Sequence, residues 1–258
     1  MIRWLALVAV VLATACDGSG SPSPDASTTG TFDSFTIKSQ NTGIAYPISI
    51  YLPPGSSQSG PLPAIYALDA ETRFADLAAV MQAKGVRAIL VGVANTGSDR
   101  RQVDFLMPGA VPYYHFLVDE LAPAIESRYG ADPARRMLSG LSSAGLFVGY
   151  AFFMETPANH RFSAFLSADG SFWQQPDEVE TAEANMYAAN VGRDLPLTLL
   201  LGGDTGGNYV YVDALYRILV SRNYPGLQLD ERVYTDGHVA MDVPFFTDCI
   251  AVLFPAGS

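Results

Sequence analysis

The chain has 258 residues, 49% hydrophobic and 16% charged, with 15 basic against 26 acidic side chains. That length supports one large core or at most two small domains. The acidic balance argues against nucleic acid and anionic lipid surfaces as partners and implies nothing about fold.

Residues 1–15 read as a secretory signal: Arg3 gives a positive start, an apolar run follows, and Ala13-Thr14-Ala15 supplies small residues. Cys16 comes directly after them, as in a bacterial lipoprotein signal. Cys16 is therefore the candidate lipidated N-terminus, and membrane attachment is expected only through that lipid. Leu12 sits one place earlier than the leucine such signals usually carry. The alternative is an ordinary signal peptide and a soluble periplasmic or secreted protein. Removing the signal removes one basic residue, so the mature charge is 14 − 26 = −12. Residues 16–31 are Gly, Ser, Pro and Thr with little apolar content, a flexible spacer. The folded domain is expected over 32–258. Cys249, the only other cysteine, is expected as a buried thiol.

Residues 32–38 and 45–52 alternate loosely on either side of Asn41-Thr42-Gly43, which predicts a β-hairpin. Strand and helix then take turns. Strands are expected over 62–68, 87–93, 136–139, 162–166, 195–201 and 227–234. Helices are expected over 74–84, 113–129, 143–154, 178–189, 209–222 and 242–254, with a long loop over 95–112. Aliphatic strands alternating with helices predict an α/β fold: a mostly parallel sheet with helices on both faces, preceded by the antiparallel hairpin.

The strand over 136–139 runs into Gly140-Leu-Ser142-Ser-Ala144-Gly145 and at once into an apolar helix. This G-x-S-x-A-G pattern reads as a strand–turn–helix elbow that holds Ser142 exposed in a strained conformation. A serine hydroxyl needs a base, and the base needs an acid to orient it. There are three histidines. His115 falls within a helix and His160 at the edge away from the serine, whereas His238 follows the last strand and reaches the edge that holds Ser142. Asp204, after the strand before that, is the expected acid, with Asp213 and Asp169 as rivals. The order Ser, Asp, His is that of α/β-hydrolases. Oxyanion donors are expected from the backbone N–H of Ser143 and, in the loop after 62–68, of Ala70. Arg101, Trp173 and Tyr209 are candidate substrate contacts. No metal or cofactor is expected, because no His/Cys/carboxylate cluster has ligand spacing. The glycine pairs 202–203 and 206–207 have no lysine near them, which argues against a phosphate loop.

Several segments in order resemble one esterase family of α/β-hydrolases, which holds siderophore and feruloyl esterases, S-formylglutathione hydrolase and the mycolyltransferases. They are Ile65-Tyr-Ala-Leu-Asp69, Val91 to Asn95, Arg101-Gln-Val-Asp104, Asp119 to Pro123, Tyr129 to Gly145, Ser167 to Trp173 and Asp236-Gly-His238. The likeness is strongest to the enterochelin-esterase branch. It departs at Asp69-Ala70, where the family usually has Asp-Gly, and over 167–173. The resemblance implies an α/β-hydrolase fold and hydrolysis of a small-molecule ester through an acyl-enzyme. Its alternatives are acyl transfer to an alcohol, or a non-catalytic binding lipoprotein of the same fold.

Overall fold

The computed structural model describes residues 29–56, 60–97, 99–156 and 159–255. The signal segment 1–15, Cys16 and the spacer up to residue 28 lie outside the described residues.

Strands β1 (Thr31–Lys38) and β2 (Ala45–Leu52) form the expected hairpin, with Thr31 opposite Leu52 and Lys38 opposite Ala45. The pattern changes at β3 (Leu62–Leu68) and β4 (Ile89–Val93), where every residue is buried. Unbroken aliphatic runs of this kind suit strands covered on both faces. β5 (Ala131–Leu141), β6 (Ala164–Ala168), β7 (Thr198–Asp204) and β8 (Gln228–Tyr234) complete an eight-stranded sheet. Its order is β1-β2-β4-β3-β5-β6-β7-β8, parallel throughout except for the pairings β1–β2 and β2–β4.

Two apolar layers enclose the sheet. One face carries α3 (Ala110–His115), a π-helical turn over Phe116–Leu121, α4 (Ala122–Tyr129), α5 (Ser143–Phe153), α6 (Pro176–Asn190) and α7 (Tyr209–Arg222). Leu117, Phe147, Tyr150 and Leu215 are buried there. The other face carries α1 (Ala70–Lys84) and α8 (Asp242–Leu253), which bury Leu77, Met81, Phe245 and Cys249.

Some boundaries differ from the sequence expectation, for identifiable reasons. β5 begins five residues before 136, because its exposed start, Pro133 to Arg135, lacks the apolar signal used to find it. The loop over 95–112 contains the short α2 (Arg100–Asp104) and the start of α3. The helix expected over 113–129 starts earlier and carries the π turn, in which the Ala122 N–H bonds back to the Leu117 carbonyl. Pro123 follows directly; its ring would crowd the carbonyl four residues back in a regular α-helix, and the wider turn relieves this.

β3 and β5 run parallel, but the crossover after β3 steps to one side, to β4, and the one after β5 to the other, to β6, so the strand order reverses between them. The carboxyl ends of strands at such a reversal leave a crevice where ligands bind in open α/β sheets. Register places Leu141 opposite Ala168 and Ala168 opposite Gly202, so the residues following β5, β6 and β7 share one edge with the turn after β8.

Candidate active site

The strand-to-helix turn after β5 is as tight as the sequence implies. Ser142 has φ 63° and ψ −120°, a region costly for any residue with a side chain, at about 1–3 kcal/mol. The turn holds it there: its N–H donates to Ala168 O (2.9 Å), and its carbonyl accepts from Leu146 N (2.9 Å) and Ser171 N (3.0 Å). A Cβ at position 140 would lie 2.3 Å from Ala144 O, so glycine is required where strand and helix pass. The Ala144 side chain is fully buried, and its methyl would lie 2.9 Å from that same Cβ. The elbow accommodates one methyl because Gly140 supplies none.

Ser143 opens α5 and Ala70 opens α1, so neither N–H has an acceptor within its own helix. Both helix starts lie at the reversal point, on neighbouring strand ends. Asp69, which precedes Ala70, is itself left-handed, with φ 55° and ψ 42°. α1 therefore begins a turn earlier than the apolar spacing indicated.

The imidazole of His238 lies in the turn after β8, and its Nδ1 is 2.5 Å from Asp169 Oδ2. This corrects the expectation that Asp204 is its partner. Asp204 is the last residue of β7, and its carboxylate accepts the backbone N–H groups of Gly206 (2.8 Å) and Gly237 (2.9 Å). It holds the turn carrying His238 rather than the ring. Asp169 has φ 41°, is fully buried, and also accepts from Asp204 N (2.8 Å) and Asn208 N (3.0 Å). A Cβ at Gly207 would fall 2.1 Å from Asp169 Oδ2, so this glycine makes room for the carboxylate. Asp213, the other rival, pairs with Arg217 four residues along α7. His115 pairs with Asp119 on the surface, and His160 precedes β6 at the opposite edge.

Ser142 Oγ lies 3.2 Å from Ser171 Oγ, and among the described residues no hydrogen bond joins it to His238. Asn208 ties the neighbourhood together. Its Nδ2 donates to Asp169 O (2.8 Å) and Ser171 Oγ (3.2 Å), while its Oδ1 accepts from Trp173 Nε1 (2.9 Å). Trp173 is half-exposed beside this network, whereas Tyr209 packs against Gly203. Sequence reasoning did not single out Asn208 or Ser171. Ser171 lay within the 167–173 segment of the family resemblance, and for Asn208 the one signal was its position just before α7.

The Arg101 side chain, 29% exposed, is held by protein acceptors. Its Nε lies 3.0 Å from both Asp69 carboxylate oxygens, and its remaining nitrogens reach Leu141 O (3.2 Å) and Ser143 Oγ (3.3 Å). Glu71, Asn95, Gly97 and Arg101 line a cavity of 270 Å³ on this side of the elbow. A larger cavity of 540 Å³, lined by residues that include Lys84, Arg87 and Phe254, lies at the far edge of the sheet. Deeper in, Arg73 is buried with Asp242, at 2.7 Å for both Nε–Oδ2 and Nη2–Oδ1. It also bonds Leu68 O and Ser139 O, tying α1, α8, β3 and β5 together beneath the site.

This sheet order, elbow and carboxyl-edge histidine are those of an α/β-hydrolase. The family described as "Putative esterase" matches residues 39–196, more than half of the chain, and the chain belongs to that family. It is an esterase, an enzyme of ester hydrolysis. Among curated relatives, the ferri-bacillibactin esterase BesA of Bacillus subtilis (strain 168) is 27% identical over 212 residues, covering 67% of this chain and 72% of that protein. Among solved structures, an IroE-like serine hydrolase from Shewanella oneidensis superposes with a TM-score of 0.75 at 23% identity, covering 87% of this chain and 80% of the other. The siderophore hydrolase EstA from Aspergillus nidulans gives 0.74 at 17% identity, covering 88% and 95%.

Proposed function

We propose that the protein is a serine carboxylic-ester hydrolase in which Ser142 is the nucleophile, His238 the general base and acid, and Asp169 the orienting carboxylate. The observation that carries this reading is the strained Ser142 turn at the carboxyl edge that also holds the Asp169–His238 pair. A carboxylate accepts, so the Nδ1–H of His238 is the donor and Nε2 is left to take a proton. In this reading Ser142 Oγ exchanges its Ser171 contact for that nitrogen when substrate binds. Attack on the ester carbonyl forms the Oγ–C bond while the proton passes to Nε2. The negative oxygen meets the N–H groups of Ser143 and Ala70. Collapse expels the alcohol, which leaves with the proton from Nε2, and water then cleaves the acyl-enzyme by the same route.

The substrate class is a small-molecule carboxylic ester. BesA and EstA are described by siderophore substrates, and cyclic siderophore esters belong in a test panel with short aryl esters. The deciding experiment combines Ser142→Ala with a fluorophosphonate probe. Wild type should hydrolyse a p-nitrophenyl ester and be labelled on Ser142. The variant should lose both with an unchanged unfolding transition, and a fully active variant would refute the reading. We also propose export with lipid anchoring at Cys16. Cys16→Ser should abolish incorporation of labelled fatty acid and release the protein from membranes; retention of both would refute it.

A further inference from the structure

A single guanidinium joins the two segments that carry the oxyanion donors. Asp69, on the loop after β3, gives Arg101 both carboxylate oxygens at 3.0 Å from Nε, and Oδ2 also lies 2.9 Å from Nη2. Leu141, the last residue of β5, and Ser143, the first of α5, flank the nucleophile and give Arg101 a carbonyl at 3.2 Å from Nη2 and a hydroxyl at 3.3 Å from Nη1. All three nitrogens of the group are thus engaged by protein acceptors. The guanidinium carbon also sits 5.7 Å from the centre of the Phe105 ring. Asn95 Nδ2 adds a 2.5 Å contact to the same Asp69 carboxylate. Asp69 is left-handed, and the direction of the next N–H, that of Ala70, depends on its backbone angles.

We propose that Arg101 is a positioning residue. It holds the Asp69 turn against the elbow and so sets the separation of the Ala70 and Ser143 N–H groups. It is not the ligand of an anionic substrate group. This rests on the hydrolase reading above. The negative oxygen develops only in the transition state, so a misplaced donor lowers kcat and leaves KM nearly unchanged. Deleting an oxyanion donor typically costs about 100–1,000-fold in kcat, and displacing one should cost somewhat less, about 10–100-fold.

The test uses the mature chain with Arg101→Met, Arg101→Lys, Asp69→Asn and the double variant Arg101→Met/Asp69→Asn. Substrates are p-nitrophenyl butyrate, which is neutral, and p-nitrophenyl hemisuccinate, which carries an anion. Arg101→Met should lose about 10–100-fold in kcat on both esters, with KM within about threefold. Affinity for a boronic acid, which imitates the tetrahedral species, should fall by the same factor. Arg101→Lys should recover part of the loss, and the double variant should be no worse than Arg101→Met, since both substitutions break one link. Asp69→Asn keeps the side chain's shape and gives the same answer if Arg101→Met fails to fold. A rise in KM confined to the anionic ester would overturn the proposal in favour of a substrate ligand. Unchanged kinetics on both esters would overturn it in favour of a passive ion pair. A wild-type chain that neither turns over ester nor reacts with fluorophosphonate would instead overturn the hydrolase reading, and this proposal with it.

Discussion

His238 and Asp169 are joined by a 2.5 Å contact across the ends of β8 and β6, while Asp204, one strand nearer to His238, bonds the backbone of the histidine's own turn. The two buried aspartates therefore have separable tasks. Asp169→Asn should reduce kcat by about 1,000–10,000-fold, since an amide favours the wrong imidazole tautomer. Asp204→Asn loosens the turn, and a smaller loss of about 10–100-fold should accompany a lower unfolding midpoint. Steady-state kinetics and thermal unfolding on both variants check this; the reverse ranking would return the orienting role to Asp204.

The Arg73–Asp242 pair lies under the site with side chains only 3% and 7% exposed. Removing one partner strands a buried charge, so Asp242→Ala should destabilise the fold by about 3–5 kcal/mol. Urea unfolding measures this directly.

Gly140→Ala should cost about 1–3 kcal/mol, because the new methyl would meet the Ala144 carbonyl and methyl. Ala144→Gly should leave the elbow's geometry intact, with a loss near the helix propensity difference of about 1 kcal/mol. Denaturant titrations of the two variants should differ in that order.

Glu155 is buried beneath Tyr114 and the residues preceding β6, and burial pushes its carboxyl up to about 7, against hydrogen bonds from Arg161 N, Phe162 N and Tyr114 OH that pull it down. The folded state holds this proton more tightly than the unfolded chain, whose value is 4.5. The contribution is thus fully present below pH 4.5 and is lost as pH rises to about 7. Its size is on the order of 2–3 kcal/mol. Glu155→Gln should flatten that part of the stability–pH curve, as measured by urea unfolding at several pH values.

Cys249 is buried between α8 and the sheet, and burial raises its thiol well above the usual range. A thiol reagent should therefore leave Cys249 unmodified in the native protein and reach it only after unfolding, as peptide mapping would show.

The alternation of aliphatic strands and helices was legible in the sequence because each period is set by which face is buried. The strained turn at Ser142 and the place of His238 on the same edge were legible too, since an elbow has a steric signature and only one histidine follows the last strand. The carboxylate that meets His238 was not. Strand order places both Asp169 and Asp204 at the right edge. What separates them is the left-handed backbone of Asp169 together with the space left by Gly207, neither of which has a periodicity to read. Arg101 was a candidate substrate contact, and the sequence could not reveal that Asp69, 32 residues earlier, is its ion-pair partner.

Asp169 is seated by the N–H groups of Asp204 and Asn208, which belong to the fold and not to the histidine. The ring itself hangs at the surface, with its side chain 36% exposed. Truncating His238 to alanine should therefore leave a preformed, solvent-open slot with its carboxylate still in place. Imidazole supplied in the buffer should enter that slot and restore part of the lost turnover, in a concentration-dependent and saturable manner. The same treatment should do nothing for Ser142→Ala, so chemical complementation would separate the replaceable part of the machinery from the part built into the backbone.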